Sequence, residues 1–211
     1  TLDDVVVTGD IPLQYFGGTV GMLTSASQVG FDNLRVEAWP SDANVVAAQP
    51  TSEPSIETQP TSEPLVENTQ TDIPFSENTV FADTFDATGD GENPWTPYSG
   101  NWIFEDGGFV QTQPEGFDLG AGYNRPLSNH SVQVTLSHIE GQGAGVLFNM
   151  VEPNTQRRAH MVRYVHDANF ITWGYFDEDG QFNGQGSAPV TAPDTSPHML
   201  TVRNTGDTYF I

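Results

Sequence analysis

A proline-rich acidic segment interrupts this chain, and the stretches on either side of it each read as part of a β-domain. Within residues 37–78, Gln49-Pro50-Thr51-Ser52-Glu53-Pro54 returns ten residues later as Gln59-Pro60-Thr61-Ser62-Glu63-Pro64, and Gln70-Thr71-Asp72-Ile73-Pro74 is a decayed third copy. Proline at this density removes backbone donors and fixes φ, which forbids helix and central strand and favours polyproline II. Stretched at about 3 Å per residue, the segment would reach on the order of 100 Å. It reads as a spacer, and its Thr51, Ser52, Thr61 and Ser62 are candidate glycosylation positions. Asn129-His130-Ser131 is a lone N-glycosylation sequon.

The flanks divide the chain into three parts. Residues 1–36 read as the closing strands of a β-sandwich, with Gly18-Thr19-Val20-Gly21-Met22-Leu23-Thr24 and Phe31-Asp32-Asn33-Leu34-Arg35-Val36 at their end. Residues 79–211 read as the opening and middle of such a sandwich, from Phe81-Ala82-Asp83-Thr84-Phe85-Asp86 to Thr208-Tyr209-Phe210-Ile211. Joined end to end, Asp207–Ile211 and Thr1–Val7 form two strands meeting at an acidic turn, so the chain is expected to be one period of something longer. The start at Thr1, without initiator Met or signal peptide, is expected to reflect processing or excision from a longer polypeptide.

Alternation supports the β reading. Ser131-Val132-Gln133-Val134-Thr135-Leu136 and His198-Met199-Leu200-Thr201-Val202-Arg203 alternate apolar with polar, as half-buried antiparallel strands do. Gly141–Phe148 reads as a glycine-rich turn feeding a buried strand, with Ala159–Val165 as its neighbour. Phe170–Phe176 meets Gln181-Phe182 across the turn Asp177-Glu178-Asp179-Gly180. No helical period is present. The expected fold is all-β, an antiparallel β-sandwich of jelly-roll type carrying a long extended linker.

Composition excludes several functions. Six arginines and no lysine face 28 acidic residues, for a net charge of −22, and nucleic acid is excluded as a partner because phosphate binding needs clustered cations. There is no cysteine and no apolar run that could cross a bilayer as a helix, so neither a disulfide scaffold nor a helical membrane span is expected. Such acidity attracts divalent cations and suits an extracellular, cell-surface or high-salt setting.

The Phe31-Asp32-Asn33 strand, the opening Phe81–Asp86, and the following Gly100-Asn101-Trp102 and Asp106-Gly107-Gly108 together resemble concanavalin A-like jelly rolls. The likeness is nearest to laminin-G-like and 3-keto-disaccharide-hydrolase-like domains, with the strand order permuted. It implies fold and leaves function open among lectins, glycanases, adhesion modules and structural repeats. The permutation has three readings: one unit of a tandem repeat, strand exchange between chains, or a circular permutant closed by its own spacer.

Glycanases of this type present paired carboxylates at alternate strand positions, typically Glu-x-Asp-x-Glu, and that spacing is absent. His130, His138, His160, His166 and His198 form no catalytic pattern, and there is no Cys nucleophile or Gly-x-Ser-x-Gly elbow. Calcium is expected at Asp86, Asp90 and Glu92, whose loop is rich in oxygen donors, and the resemblance adds Asp83 and Asp32 as a pair between opening and closing strands. Sugar recognition would use Trp173, Tyr175, Arg163, Tyr164, His160 and Gln185 on one sheet face, with Trp95 and Trp102 near an edge. The expected function is a non-enzymatic extracellular structural or adhesive repeat. It would assemble head-to-tail with itself by strand complementation, with Val5, Val7, Val20, Met22, Phe31 and Leu34 setting register. A lectin-like module binding glycans is the alternative.

Overall fold

The structure, a computed structural model, describes residues 11–38, 79–85, 93–127, 130–190, 197–204 and 206–211, the side chains of His138 and Ile139 excepted. Val5, Val7, Thr51, Ser52, Thr61, Ser62, Asp86, Asp90, Glu92 and Asn129 lie outside the described residues. Among the described residues thirteen strands form one antiparallel sheet, and no α-helix occurs.

Two long strands organise it. β2 (Thr19–Ala38) pairs with β8 (His130–Met150) from Thr19 opposite Met150 to Ala38 opposite His130. The sequence alone suggests two shorter strands in place of each. The structure joins them because their break is a corner rather than a turn: Ala26 sits at φ 45° and Gly141 at φ 109°. A Cβ on Gly141 would lie 1.9 Å from the Ala26 carbonyl oxygen, so only glycine permits the approach.

The remaining strands attach on either side of this corner. Beyond it towards Thr19, the order is β11 (Phe182–Pro189), β10 (Phe170–Phe176), β9 (Ala159–Val165), β8, β2, β7 (Leu119–Tyr123), β4 (Trp95–Pro97). Towards Ala38 the order is β1 (Ile11–Pro12), β13 (Thr208–Phe210), β12 (His198–Asn204), β8, β2. There β2 is flanked on its other side first by β6 (Gly108–Gln111), which carries β5 (Trp102–Glu105), and then by β3 (Thr79–Asp83).

The two half-sheets face each other as a sandwich, and rings bridge them. Phe81 of β3 stacks on Tyr123 of β7 at 4.3 Å, Phe148 of β8 meets Tyr209 of β13 at 4.9 Å, and Tyr164 of β9 meets His198 at 5.2 Å. Alternation selects the inward residues: His198, Leu200, Val202 and Asn204 of β12 are buried while Met199 is 54 % exposed. The outer faces differ. Leu23, Leu147, Met150, Met161 and Phe176 form a second buried cluster on the back of the first half-sheet, whereas Arg35, Glu37, Gln133, Thr201 and Arg203 line a shallow polar concavity on the back of the second.

The β10–β11 hairpin forms where the sequence places it. The Asp177 carboxylate accepts N–H bonds from Gln181 at 2.9 Å and Asp179 at 3.0 Å, which pulls it below the usual carboxylate range.

Candidate functional site

The feature with the clearest functional geometry is the N-terminal arm and its seat. Val20, Met22, Phe31 and Leu34, the described residues of the expected assembly set, are all buried in the core of this same chain. β2 has strands on both sides along most of its length. The arm runs two residues beyond the expected boundary, since Glu37 lies opposite both Ser131 and Thr79 and pairs with the Arg35 guanidinium. β3, which starts at Thr79, pairs with the end of β2, so the two strands that flank residues 39–78 in the sequence lie side by side.

Where the arm begins, side chains of the body grip its backbone. The turn after β1 places the Gln14 and Tyr15 N–H groups at 2.9 and 3.2 Å from His160 Nε2. Asn149 Nδ2 donates to the Tyr15 carbonyl at 3.1 Å, Gln185 Nε2 donates to the Pro12 carbonyl at 3.0 Å, and Leu13 N–H donates to the Asp207 carbonyl at 2.9 Å. His160 is fully buried among Phe148, Tyr209, Tyr15 and Tyr175, at ring distances of 5.2, 5.5, 5.8 and 6.0 Å. Burial pulls its imidazole down to about 4, against a small opposing effect of the Gly174 backbone. The ring is neutral, and Nε2 is its acceptor.

The expected sugar-binding set does not share one exposed face. Successive strand residues point to opposite faces, so His160 and Tyr164 of β9 face inward while Arg163 faces the back. Trp173 and Tyr164 belong to the main core, at 9 % and 5 % exposure. Tyr175 is half-buried with its ring against Tyr15, and Gln185 is held by Pro12 and by the Tyr209 hydroxyl, which donates at 3.0 Å. Trp95 is buried, its Nε1–H donating to Asp83, and Trp102 stacks on Phe109 at 4.9 Å.

Arg163 does enter a polar cluster on the back of the first half-sheet. Its Nη1 donates to Ser25 Oγ at 2.7 Å, while its Nε is buried without a hydrogen-bond partner among the described residues. Burial lowers the guanidinium from its ordinary value, and burial raises Asp118, which Arg163 partly offsets. Tyr98, raised by burial and by Asp118, closes over Gly120 beside them.

Both described members of the expected calcium set fasten local backbone. Asp83 accepts from Phe85 N–H at 2.8 Å and from Trp95 Nε1–H at 2.9 Å. Asp32 accepts from Asn33 N–H at 2.6 Å and Nδ2 at 2.9 Å. Among the described residues no three His, Asp or Glu side chains gather where they could hold a metal ion. None of the helical residues described forms a helix long and apolar enough to cross a membrane.

Sequence reasoning missed His160 as an anchor, because its partners lie 145 and 146 residues away along the chain. Comparison with known proteins gives no match: no family model, no curated protein and no solved structure is significantly similar to this chain.

Proposed function

We propose that this is a non-enzymatic, extracellular structural or adhesive module, of the concanavalin A-like kind that its strands resemble, which assembles with copies of itself by lending its N-terminal arm. The observation carrying this reading is the placement of residues 39–78 between two strands that lie side by side, with the lent strand at the centre of the sandwich. An arm on so long a connection makes the same contacts whether it fills its own sandwich or a neighbour's. Effective concentration then decides between the closed and the exchanged form. An exchange that passes from copy to copy does not close on itself and yields a filament. Burial of Trp173 and Tyr164 in the core supports the structural reading over the lectin-like one, since a sugar face needs its aromatics in contact with solvent.

Energy transfer tests the reading. The chain has no cysteine, so a single Cys at exposed Phe16 in one population and at exposed Met199 in another can carry donor and acceptor dyes. The populations are mixed in denaturant and refolded together. Transfer that rises with protein concentration is the expected result; its absence at every concentration would overturn the reading.

A further inference from the structure

We propose that His160 is an acid-sensitive latch: its neutral ring holds residues 11–15 on the sandwich, and its protonation releases that strap and uncovers the outer edge of β13. The consequence for assembly rests on the strand-exchange reading above; the latch itself rests on geometry alone.

An imidazole nitrogen that accepts hydrogen bonds from two consecutive backbone amides must be unprotonated. Gln14 and Tyr15 both donate to His160 Nε2, so the added proton would point an N–H at two N–H groups inside a ring of aromatic side chains. Turning the ring over gives no relief, because both nitrogens of the protonated imidazole are donors.

The groups facing the ring come from every element around it. They are Phe148 of β8, Tyr175 and the Gly174 backbone of β10, Tyr209 of β13, and Tyr15 of the strap. Tyr15 and Tyr209 are held above their ordinary value by burial and stay neutral in acid. Asp177, Glu178 and Arg158 act on Tyr15 at the rim, and among the described residues no carboxylate acts on the imidazole. The drop from 6.5 to about 4 corresponds to a preference of about 300-fold for the neutral ring in the latched state.

The rest of the strap is attached by a short ladder and two buried side chains. β1 gives two residue pairs to β13, Ile11 opposite Tyr209 and Pro12 opposite Thr208, and Leu13 N–H adds a bond to the Asp207 carbonyl; the Ile11 and Leu13 side chains enter the main core, and the side chains of Asn149 and Gln185 hold the backbone. Without the His160 acceptor, the Gln14 and Tyr15 amides lose their partner in a part-buried setting, and the short pairing with β13 goes with them. Among the described residues only β1 pairs with that edge of β13, which is where a second copy could add a strand.

Amide hydrogen exchange of the intact chain between pH 7 and pH 3, read beside the His160 ring resonances, tests the latch. The Gln14 and Tyr15 amides should lose protection in step with His160 titration, while core amides such as Met22 and Val146 stay protected. His160→Gln offers an acceptor oxygen that no proton in this range removes, so that variant should keep the strap protected. Protection of Gln14 and Tyr15 that persists after His160 is protonated would overturn the latch. Loss together with the core amides, or at the same pH in His160→Gln, would overturn it as well. Should the variant not fold, the order of strap and core loss in the natural chain decides by itself. Sedimentation at pH 4 separates the two ideas: a released strap with no oligomer keeps the latch and counts against strand exchange.

Discussion

The two ends of the N-terminal arm are anchored in opposite ways. β2 is held by hydrogen-bond ladders on both edges and by fully buried side chains such as Met22 and Phe31. The strap before it has two ladder pairs, one further backbone bond and two buried apolar side chains, Ile11 and Leu13, and its last two amides rest on one histidine. The difference teaches that one segment can be both permanent and releasable. Its centre leaves only when the sandwich unfolds, whereas its tip opens locally.

The strongest way to break this comparison is in the core. Phe31→Ala removes a fully buried ring that packs against Trp102 at 5.7 Å, and it should cost about 3–5 kcal/mol in a urea titration. A loss no larger than that of a substitution at the strap would place β2 at the margin of the fold.

Acid gives the next effect. Unfolded His160 titrates near 6.5 and folded His160 near 4, so both states are neutral above 6.5 and stability there is full. As pH falls from 6.5 towards 4 the unfolded chain binds a proton that the folded chain refuses, and stability declines. The decline is complete below 4 and amounts to at most about 3 kcal/mol. Thermal melts of the natural chain against His160→Gln should diverge only in this window; parallel curves would remove His160 from the account.

At the corner, Gly141→Ala should destabilise by about 1–3 kcal/mol, because its methyl would meet the Ala26 carbonyl and φ is positive. The smallest effect belongs to the polar back of the second half-sheet. Glu37→Gln breaks an ion pair whose acidic partner is 39 % exposed, and denaturant titration should move by no more than about 0.5 kcal/mol.

Some of this was readable in the sequence. The Phe170–Phe176 hairpin announced itself through its Asp-Gly turn, and the alternation of His198–Asn204 gave its inward face. The corner of β2 was not readable, because Ala26 adopts its left-handed conformation without a glycine to signal it; that of β8 was marked by Gly141 but read as a turn. The faces of β9 were legible in principle: Ala159-His160-Met161-Val162-Arg163-Tyr164-Val165 puts His160 and Tyr164 opposite Arg163 by alternation alone. Grouping all three on one sugar face set that rule aside. The seat of His160 required knowing that the turn at Gln14 folds back across the whole chain, and only the tertiary structure supplies that.

Strand exchange is the central claim, and its most direct test replaces residues 39–78 by an Asn-Gly turn, which suffices to join neighbouring antiparallel strands. Light scattering would follow both chains after refolding over a range of concentrations. The account predicts concentration-dependent oligomers for the natural chain and a monomer throughout for the shortened one, whose arm cannot reach a neighbour. Monomers in both cases, or equal assembly in both, would contradict it.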